Sequence, residues 1–335
     1  MRQALVDAGL AAAALGGLLA DSARMADPRL QAAADALGVP LRFLPQTDPA
    51  ARLRQALPAA EQVGDRLAVA AAPLAMDRIG QRRGRLTVIG LGPGCAELMV
   101  PAARRALDEA EDILGYQTYV DMAGPFRAGQ VLHGSDNREE LQRARHAFEL
   151  AATGRAVVLV SSGDPGVFAM AAAVLEALHG AGAPAWDAVE LRIFPGVSAA
   201  LATAARAGAP LGHDFCLLSL SDNLKPWEVI ERRLDLAGAA DLAMAFYNPI
   251  SRARPWQLGR ALEIVARHRS PQTLVVLGRD IGRPGERLLR TTLGELRAEQ
   301  VDMRTLVIIG SSTTRSFPRA DGEAWVYTPR WYPSE

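Results

Sequence analysis

Titratable and conformationally special residues cluster in this chain where apolar runs end, and each cluster suggests a chemistry. Ser161-Ser-Gly-Asp-Pro-Gly166 follows the run Val157–Val160. There Gly163 and Gly166 free the backbone, Pro165 stiffens it, and Asp164 stands as a carboxylate at a strand end. It can act on a ligand, or it can cap a helix beginning near Val167. Gly90-Leu-Gly-Pro-Gly94 follows Leu86–Ile89 and invites a dinucleotide fingerprint. The fit fails, because GxGxxG wants glycine where Cys95 stands and Pro93 lacks an N–H for a phosphate. No Gly-Lys-Ser/Thr follows, so the loop is not a phosphate-binding P-loop either. It suits close approach by an uncharged or cationic ligand, or simply a turn. Tyr247-Asn248-Pro249 sets polar atoms directly after apolar Leu242–Phe246, where they are costly to bury without a partner. His213, in Gly212-His-Asp-Phe215, is a candidate acid or base, as histidines in general are, or a solvated loop residue. Asp222, in Ser219–Trp227, and Tyr116, beside Tyr119 and Asp121, carry the same two readings.

Composition narrows the classes. The 335 residues are 49% hydrophobic and 22% charged, enough apolar material for two or three domains. Lys plus Arg (37) balances Asp plus Glu (37), so the global basic excess of a duplex-binding protein is absent. Lys225 is the only lysine. The arginine bias suits bidentate carboxylate recognition, and equally a composition bias toward Arg and Ala. Cys95 and Cys216 are far apart, without a CxxC partner, and the five histidines lack ligand spacing, so no metal site is expected. No apolar run reaches 18 residues; Ala4–Ala20 is interrupted by Asp7. A cytoplasmic protein is expected, with no nucleic-acid or membrane partner.

These groups need a frame to position them. Residues 1–82 are Ala-rich, with helices expected over Gln3–Leu19, Pro28–Leu37 and Asp48–Ala56 and a strand over Pro40–Leu44. An apolar run, Leu67–Ala72, precedes a further helix. Gln81-Arg-Arg-Gly-Arg85 is a polar junction. From Leu86 strands and helices alternate: Leu86–Leu91, Pro101–Glu111, Asp112–Leu114, Arg138–Thr153, Ala156–Val160, Val167–His179, Leu191–Phe194 and Ser198–Ala207. A second series follows: Phe215–Leu220, Pro226–Asp235, Leu242–Tyr247, Pro255–His268, Thr273–Leu277 and Thr305–Ile309. Such alternation means α/β layers. The glycine-loop style changes near Pro195–Ser198, which divides the chain into residues 85–196 and 197–320, two α/β lobes with a cleft between them, and a tail, 321–335.

Taken in order, the loops resemble one family. Gly-Leu-Gly-Pro-Gly, Gly115-Tyr-Gln-Thr-Tyr-Val-Asp121, Ser-Ser-Gly-Asp-Pro-Gly-Val-Phe and Pro195-Gly-Val-Ser-Ala199 lead the series. Pro210-Leu-Gly-His-Asp-Phe215, Ser221-Asp-Asn-Leu-Lys-Pro-Trp-Glu228, Tyr-Asn-Pro and Val301-Asp-Met303 complete it. From about Leu86 to Arg315 the chain is similar to the tetrapyrrole methylases of cobalamin biosynthesis, in their precorrin-3B C17-methyltransferase branch. The resemblance implies a two-lobed α/β homodimer with S-adenosylmethionine in the cleft. It places the donor against Gly92 and Pro93; Ser162, Gly163, Asp164 and Val167; Ser198 and Ala199; Tyr247 and Asn248; and Asp280 or Ile281. It implies methylation at C17 with ring contraction, which needs a base and an acid. Asp164, His213, Asp222 and Tyr116 are the candidates as a group, and Arg138, Arg252 and Arg279 are candidate clamps for the substrate's carboxylates.

Two departures stand out: Cys95 where the superfamily commonly has Asp, and Asp164-Pro-Gly166 where the branch often has Asp-Ala-Gly. The alternatives within the fold are a cobalt-precorrin-3 substrate or another tetrapyrrole methylation. The rivals outside it are a nicotinamide oxidoreductase, an RNA or protein methylase, and a non-catalytic tetrapyrrole carrier. Residues 1–82 faintly resemble the C-terminal domain of cobalamin-synthesis G/E-type proteins through Ala23-Arg-Met-Ala-Asp-Pro28 and Ala36–Phe43. They are otherwise an unrelated Ala-rich extension. Neighbouring corrin-pathway enzymes are the expected partners.

Overall fold

Apolar runs bounded by glycine and proline become central strands here, as sheets covered on both faces require. The computed structural model describes residues 2–45, 47–63, 67–136 and 139–332. The chain divides into two units, one of Met1–Ile89, Arg104–Ser161 and Ala169–Phe194, the other of Gly90–Ala103, Ser162–Phe168 and Pro195–Glu335.

The chain opens with α1 (Arg2–Asp7), β1 (Leu18–Asp21), α2 (Pro28–Leu37), β2 (Leu41–Leu44), α3 (Pro49–Ala56), β3 (Glu61–Val63) and β4 (Leu67–Val69). β1 and β2 pair in parallel over a small core that includes Leu18, Ala34, Leu41 and Phe43. Asp27 and Asp48 cap α2 and α3 by accepting backbone N–H bonds, with proline opening each helix and a left-handed Gly38 closing α2. The helix expected over Gln3–Leu19 forms only at its start, as α1. α1 stops at Asp7, the Leu18 N–H donates to the Pro40 carbonyl at 2.8 Å, and pairing with β2 overrides alanine's helix preference. The helix expected after Leu67–Ala72 is a single 3-10 turn, Met76–Arg78.

Next come β5 (Arg85–Gly90), α4 (Pro101–Glu109), β6 (Asp112–Tyr116), α5 (Gln117–Ala123), β7 (Val131–Ser135) and α6 (Glu140–Ala152). β8 (Ala156–Ser161), α7 (Met170–Ala181), α8 (Pro184–Asp187) and β9 (Glu190–Phe194) complete the stretch. The sheet runs in the order β7-β6-β8-β5-β9, with β6 parallel to β7 and β8, and β5 parallel to β9. β5 and β8 are buried almost end to end, whereas edge strands β7 and β9 are not. α6 buries Ala144, Phe148 and Ala151, and the Phe148 ring stacks on Trp186 with centroids 5.0 Å apart. Leu141 sits in the first turn ahead of this packed stretch and stays 45% exposed.

The last stretch holds α9 (Ala199–Ala207), β10 (Gly208–Ala209), β11 (Phe215–Ser219), α10 (Trp227–Ala239), β12 (Ala243–Tyr247) and α11 (Gln257–Val265). It ends with β13 (Leu274–Arg279), β14 (Arg287–Thr292), β15 (Thr305–Ile309), β16 (Arg315–Pro318) and β17 (Ala324–Tyr327). Its five-stranded sheet runs β11-β12-β15-β13-β14, with β11 and β12 parallel and the other pairs antiparallel. Successive side chains feed opposite layers: Phe246, Leu277 and Val307 enter one core, Ala245, Val276 and Ile308 the other. Residues 321–335, read from sequence as a tail, include β17, which lies between β10 and β16 with Val326 buried. β14, too mixed in polarity to stand out in sequence, is the edge partner of β13.

Replacing Phe148 by Ala is expected to cost about 3–5 kcal/mol in urea unfolding, because the ring is wholly buried. Leu141→Ala, on the same helix, is expected to stay within about 0.5 kcal/mol of wild type.

Candidate functional site

Three loops converge in the second unit. Gly163, at φ +65°, donates its N–H to the Gly92 carbonyl at 2.8 Å, and the Gly92 N–H donates back to the Gly163 carbonyl at 3.2 Å. A Cβ on Gly90 or Gly196 would lie 2.3 or 2.2 Å from that same Gly163 oxygen, so only glycine fits at either position. The Gly90–Gly94, Ser162–Phe168 and Pro195–Ser198 loops therefore meet backbone to backbone.

Asp164 fastens two of them. Its Oδ1 accepts from the Gly166 N–H at 2.8 Å and its Oδ2 from the Gly196 N–H at 3.0 Å. The capping reading of Asp164 is corrected by this geometry. α7 starts at Met170, with Ala169 at its N-cap and no side-chain cap bond. Ser198 does cap its helix: its Oγ accepts from the Leu201 N–H at the start of α9. Tyr247 reaches the same turn, its hydroxyl accepting from the Ala200 N–H at 3.0 Å. Burial pushes the Tyr247 phenol up and the nearby Asp164 charge adds to this, against the Ser198 and Ala200 hydrogen bonds; the phenol stays protonated near neutrality. Phe168, half exposed at φ +52°, tilts its ring against Tyr247 at 5.3 Å.

Asn248 follows in a left-handed conformation, φ +51°, and its Nδ2 donates to Ser219 Oγ at 3.1 Å. Arg254, buried, donates from Nη1 to the Asn248 carbonyl at 3.0 Å and so fixes this loop. Sequence reasoning chose its neighbour Arg252, which is exposed; in Ser-Arg-Ala-Arg-Pro nothing in the spacing says which arginine turns inward. Just past β13, Asp280 is buried at φ +52° between Arg279 (2.9 Å) and Arg304 (2.7 Å). Arg279 also bonds Asp302 at 2.9 Å, so the proposed substrate clamp is engaged within the chain.

The sequence thus brought Gly92, Pro93, Ser162, Gly163, Asp164, Ser198, Ala199 and Tyr247 to one place, with Val167 following in the Asp164 turn. Among the described residues the other candidates take no part in these bonds. His213 contacts its own neighbour Asp214 and the Tyr332 ring. Asp222 accepts from Gln257 at 3.1 Å. Tyr116 lies in the first unit, edge-on to Tyr119. Ile281 is buried, and Arg138 lies outside the described residues. Arg283, missed in the sequence, donates to the Pro93 carbonyl and to Ser162 Oγ. Among the described residues no group of three or more His, Cys, Asp or Glu could hold a metal, and no helix is long and apolar enough to cross a membrane.

Glycine-built loops at strand ends of an α/β fold, without a phosphate cradle, are the arrangement of an enzyme site open to a small ligand. The family described as Tetrapyrrole (Corrin/Porphyrin) Methylases matches residues 85–297, and the chain belongs to it. It is a methyltransferase of the α/β tetrapyrrole methylase fold. The chain is 54% identical over 249 residues to the precorrin-3B C(17)-methyltransferase of a Sinorhizobium species, covering 74% of this chain and 97% of that one. It is 48% identical over 288 residues to the cobalamin biosynthesis protein CobIJ of Mycobacterium tuberculosis. That match covers 84% of this chain, too long to be confined to residues 85–335, but only 55% of the relative, so the chain spans about half of CobIJ. The crystal structure of the methyltransferase CobJ superposes with a TM-score of 0.69 at 51% identity, covering 73% of this chain and all of that one. The uroporphyrin-III C-methyltransferase of Thermus thermophilus complexed with S-adenosyl homocysteine shares the fold, at TM-score 0.51 and 22% identity over 68% of this chain and 97% of that one.

Gly196→Ala is expected to cost about 1–3 kcal/mol in urea unfolding, because the new methyl meets the Gly163 carbonyl and Gly90. Gly166→Ala, whose Cβ meets only Asp164 Oδ1 at 3.2 Å, is expected to cost less. The β13 network should read out in pH. Burial would raise Asp302, but bonds from Thr305, Arg279 and the Arg304 N–H outweigh it and hold its carboxyl below the ordinary 3.8. Such a group stabilises the fold above its unfolded pKa and loses that contribution as pH falls through the folded one. The melting-temperature advantage of wild type over Asp302→Asn is therefore expected in full at neutral pH and to shrink below pH 3.8.

Proposed function

We propose that the chain transfers a methyl group from S-adenosylmethionine to C17 of precorrin-3B, with ring contraction to precorrin-4. The observation that carries this reading is the 54% identity spanning 97% of the Sinorhizobium enzyme. The branch segments Gly212-His-Asp-Phe215 and Ser221–Glu228 agree with it.

The loops fit the donor on their own chemistry. Gly90, Gly163 and Gly196 pack the three loops together backbone to backbone, and Pro93 gives the surface they form a ring in place of an N–H. Such a surface suits a cationic sulfonium better than a phosphate. The donor supplies an electrophilic methyl. This chain's residues would hold it: the Pro93 and Ser162–Asp164 loops on one side, Ser198, Ala199 and the Tyr247-Asn248 strand end on the other. The nucleophilic carbon belongs to the tetrapyrrole, so the protein's main contribution is alignment, worth roughly 7–11 kcal/mol in favourable cases. Ring contraction adds a proton to be taken from the C20 hydroxyl and a departing carboxylate to be helped. Asp164, with both oxygens already accepting backbone N–H bonds, serves best as the brace of the donor loops. His213, Asp222 and Tyr116 stay the candidates for proton transfer, and Arg252 for a substrate carboxylate.

A cobalt-containing substrate is the second reading. It is favoured by 44% identity over 229 residues to the probable cobalt-factor III C(17)-methyltransferase of Salmonella typhimurium, covering 68% of this chain and 93% of that one. Both are tested in a multi-turnover assay with methyl-labelled S-adenosylmethionine, following label, product mass and absorption spectrum. Label in a ring-contracted precorrin-4 is expected from precorrin-3B. Turnover only with the cobalt compound would transfer the assignment to the second reading, and turnover with neither would refute both.

A further inference from the structure

We infer that Arg283 is a positioning residue that locks the Gly90–Gly94 loop to the Ser162–Phe168 loop and so presets the donor site proposed above. Its guanidinium donates from Nε to the Pro93 carbonyl at 2.8 Å and from Nη2 to Ser162 Oγ at 2.9 Å. The two acceptors lie 190 and 121 residues away in sequence. A planar fork reaches both at once, which an ammonium on a flexible stem does not.

The surroundings are built for this reach. Gly94, at φ +136°, faces the Arg283 side chain, and a Cβ there would meet its Cγ at 2.6 Å. On the opposite side, a Cβ on Gly282, at φ +79°, would meet the Pro93 ring at 2.9 Å. Glycine on both sides lets the two turns touch. The turn carrying Arg283 is itself braced. The Arg283 N–H donates to the Asp280 carbonyl at 2.8 Å, and the Gly282 N–H donates to Glu286 Oε2 at 2.8 Å. Asp280 in turn is clamped by Arg279 and Arg304. Among the described residues no carboxylate pairs with the Arg283 guanidinium, whose recorded bonds go to neutral acceptors. Its role in this arrangement is geometric, and it leaves Asp164 free to hold the third loop at Gly196.

The inference rests on the donor-site reading, and the test separates the two. S-adenosylhomocysteine binding is measured by calorimetry on the full chain for wild type, Arg283→Lys and Arg283→Ala, together with kcat and the KM of each substrate. Both variants are expected to weaken S-adenosylhomocysteine binding roughly tenfold or more and to raise the donor KM in parallel. The tetrapyrrole KM is expected to move less than about twofold, a split that general loosening of the fold would not give. Millimolar methylguanidine is expected to restore part of the affinity of Arg283→Ala. If that variant does not fold, Arg283→Lys, which keeps the methylenes against Gly94, carries the test. Wild-type affinity in Arg283→Lys would overturn the bridge, since charge alone would then suffice. Failure of wild type to bind S-adenosylhomocysteine would instead overturn the donor site, and the inference with it.

Discussion

The carbonyl oxygen of Gly163 is the point on which the candidate site depends. Gly92 donates to it, and the Cα atoms of Gly90 and Gly196 press so close that a Cβ on either would come within 2.3 Å. Three chain segments far apart in sequence approach at a separation only glycine permits. Asp164 adds the directional part, one oxygen kept inside its own loop and the other sent to Gly196. Tyr247 and Ser198 then attach the start of α9 to the end of β12. The site is a property of backbone packing first and of side-chain chemistry second.

Arginine has a different job here from the one its abundance suggests. Arg254 holds backbone carbonyls around the Asn248 loop, and Arg269, buried, donates to the carbonyls of Gly238 and Leu242 while pairing with Asp241. Arg143, also buried, reaches Ser135 Oγ and the Asp136 carbonyl. Burial of such a group is tolerable only when its N–H donors are met, and a five-donor fork meets several carbonyls at once. Arg279, partly exposed, instead pairs with the carboxylates of Asp280 and Asp302. In this chain arginine ties loops to strands, and Arg283 is the instance nearest the proposed donor site.

The N-terminal segment is folded by the same economy of small residues. β1 and β2 form their own parallel pair, Ala34 is fully buried beneath them, and Ala188 packs against this cluster. The CobIJ match is too long for residues 85–335 alone, so part of this segment has a counterpart in that relative. Alanine, read in sequence as a sign of helix, serves here as the small side chain that lets short elements approach.

By itself the sequence determined the alternating layers and the strand-end loops, and it named most of the residues that the structure brings together around Gly163. Apolar periodicity and glycine–proline punctuation are local signals, and from Leu86 onward the helices and central strands they mark formed within a few residues of their expected bounds. The family was legible for the same reason, since its motifs are contiguous. Only tertiary structure decided that Asp164 braces loops instead of capping α7, that Arg254 and not Arg252 turns inward, and that Arg279 is already engaged. It alone decided that Arg283 bridges Pro93 and Ser162, and that β17 joins a sheet. In each case the partner lies on another loop or strand, and which hydrogen-bond acceptor a long polar side chain meets is set by packing between distant segments, which no local pattern encodes.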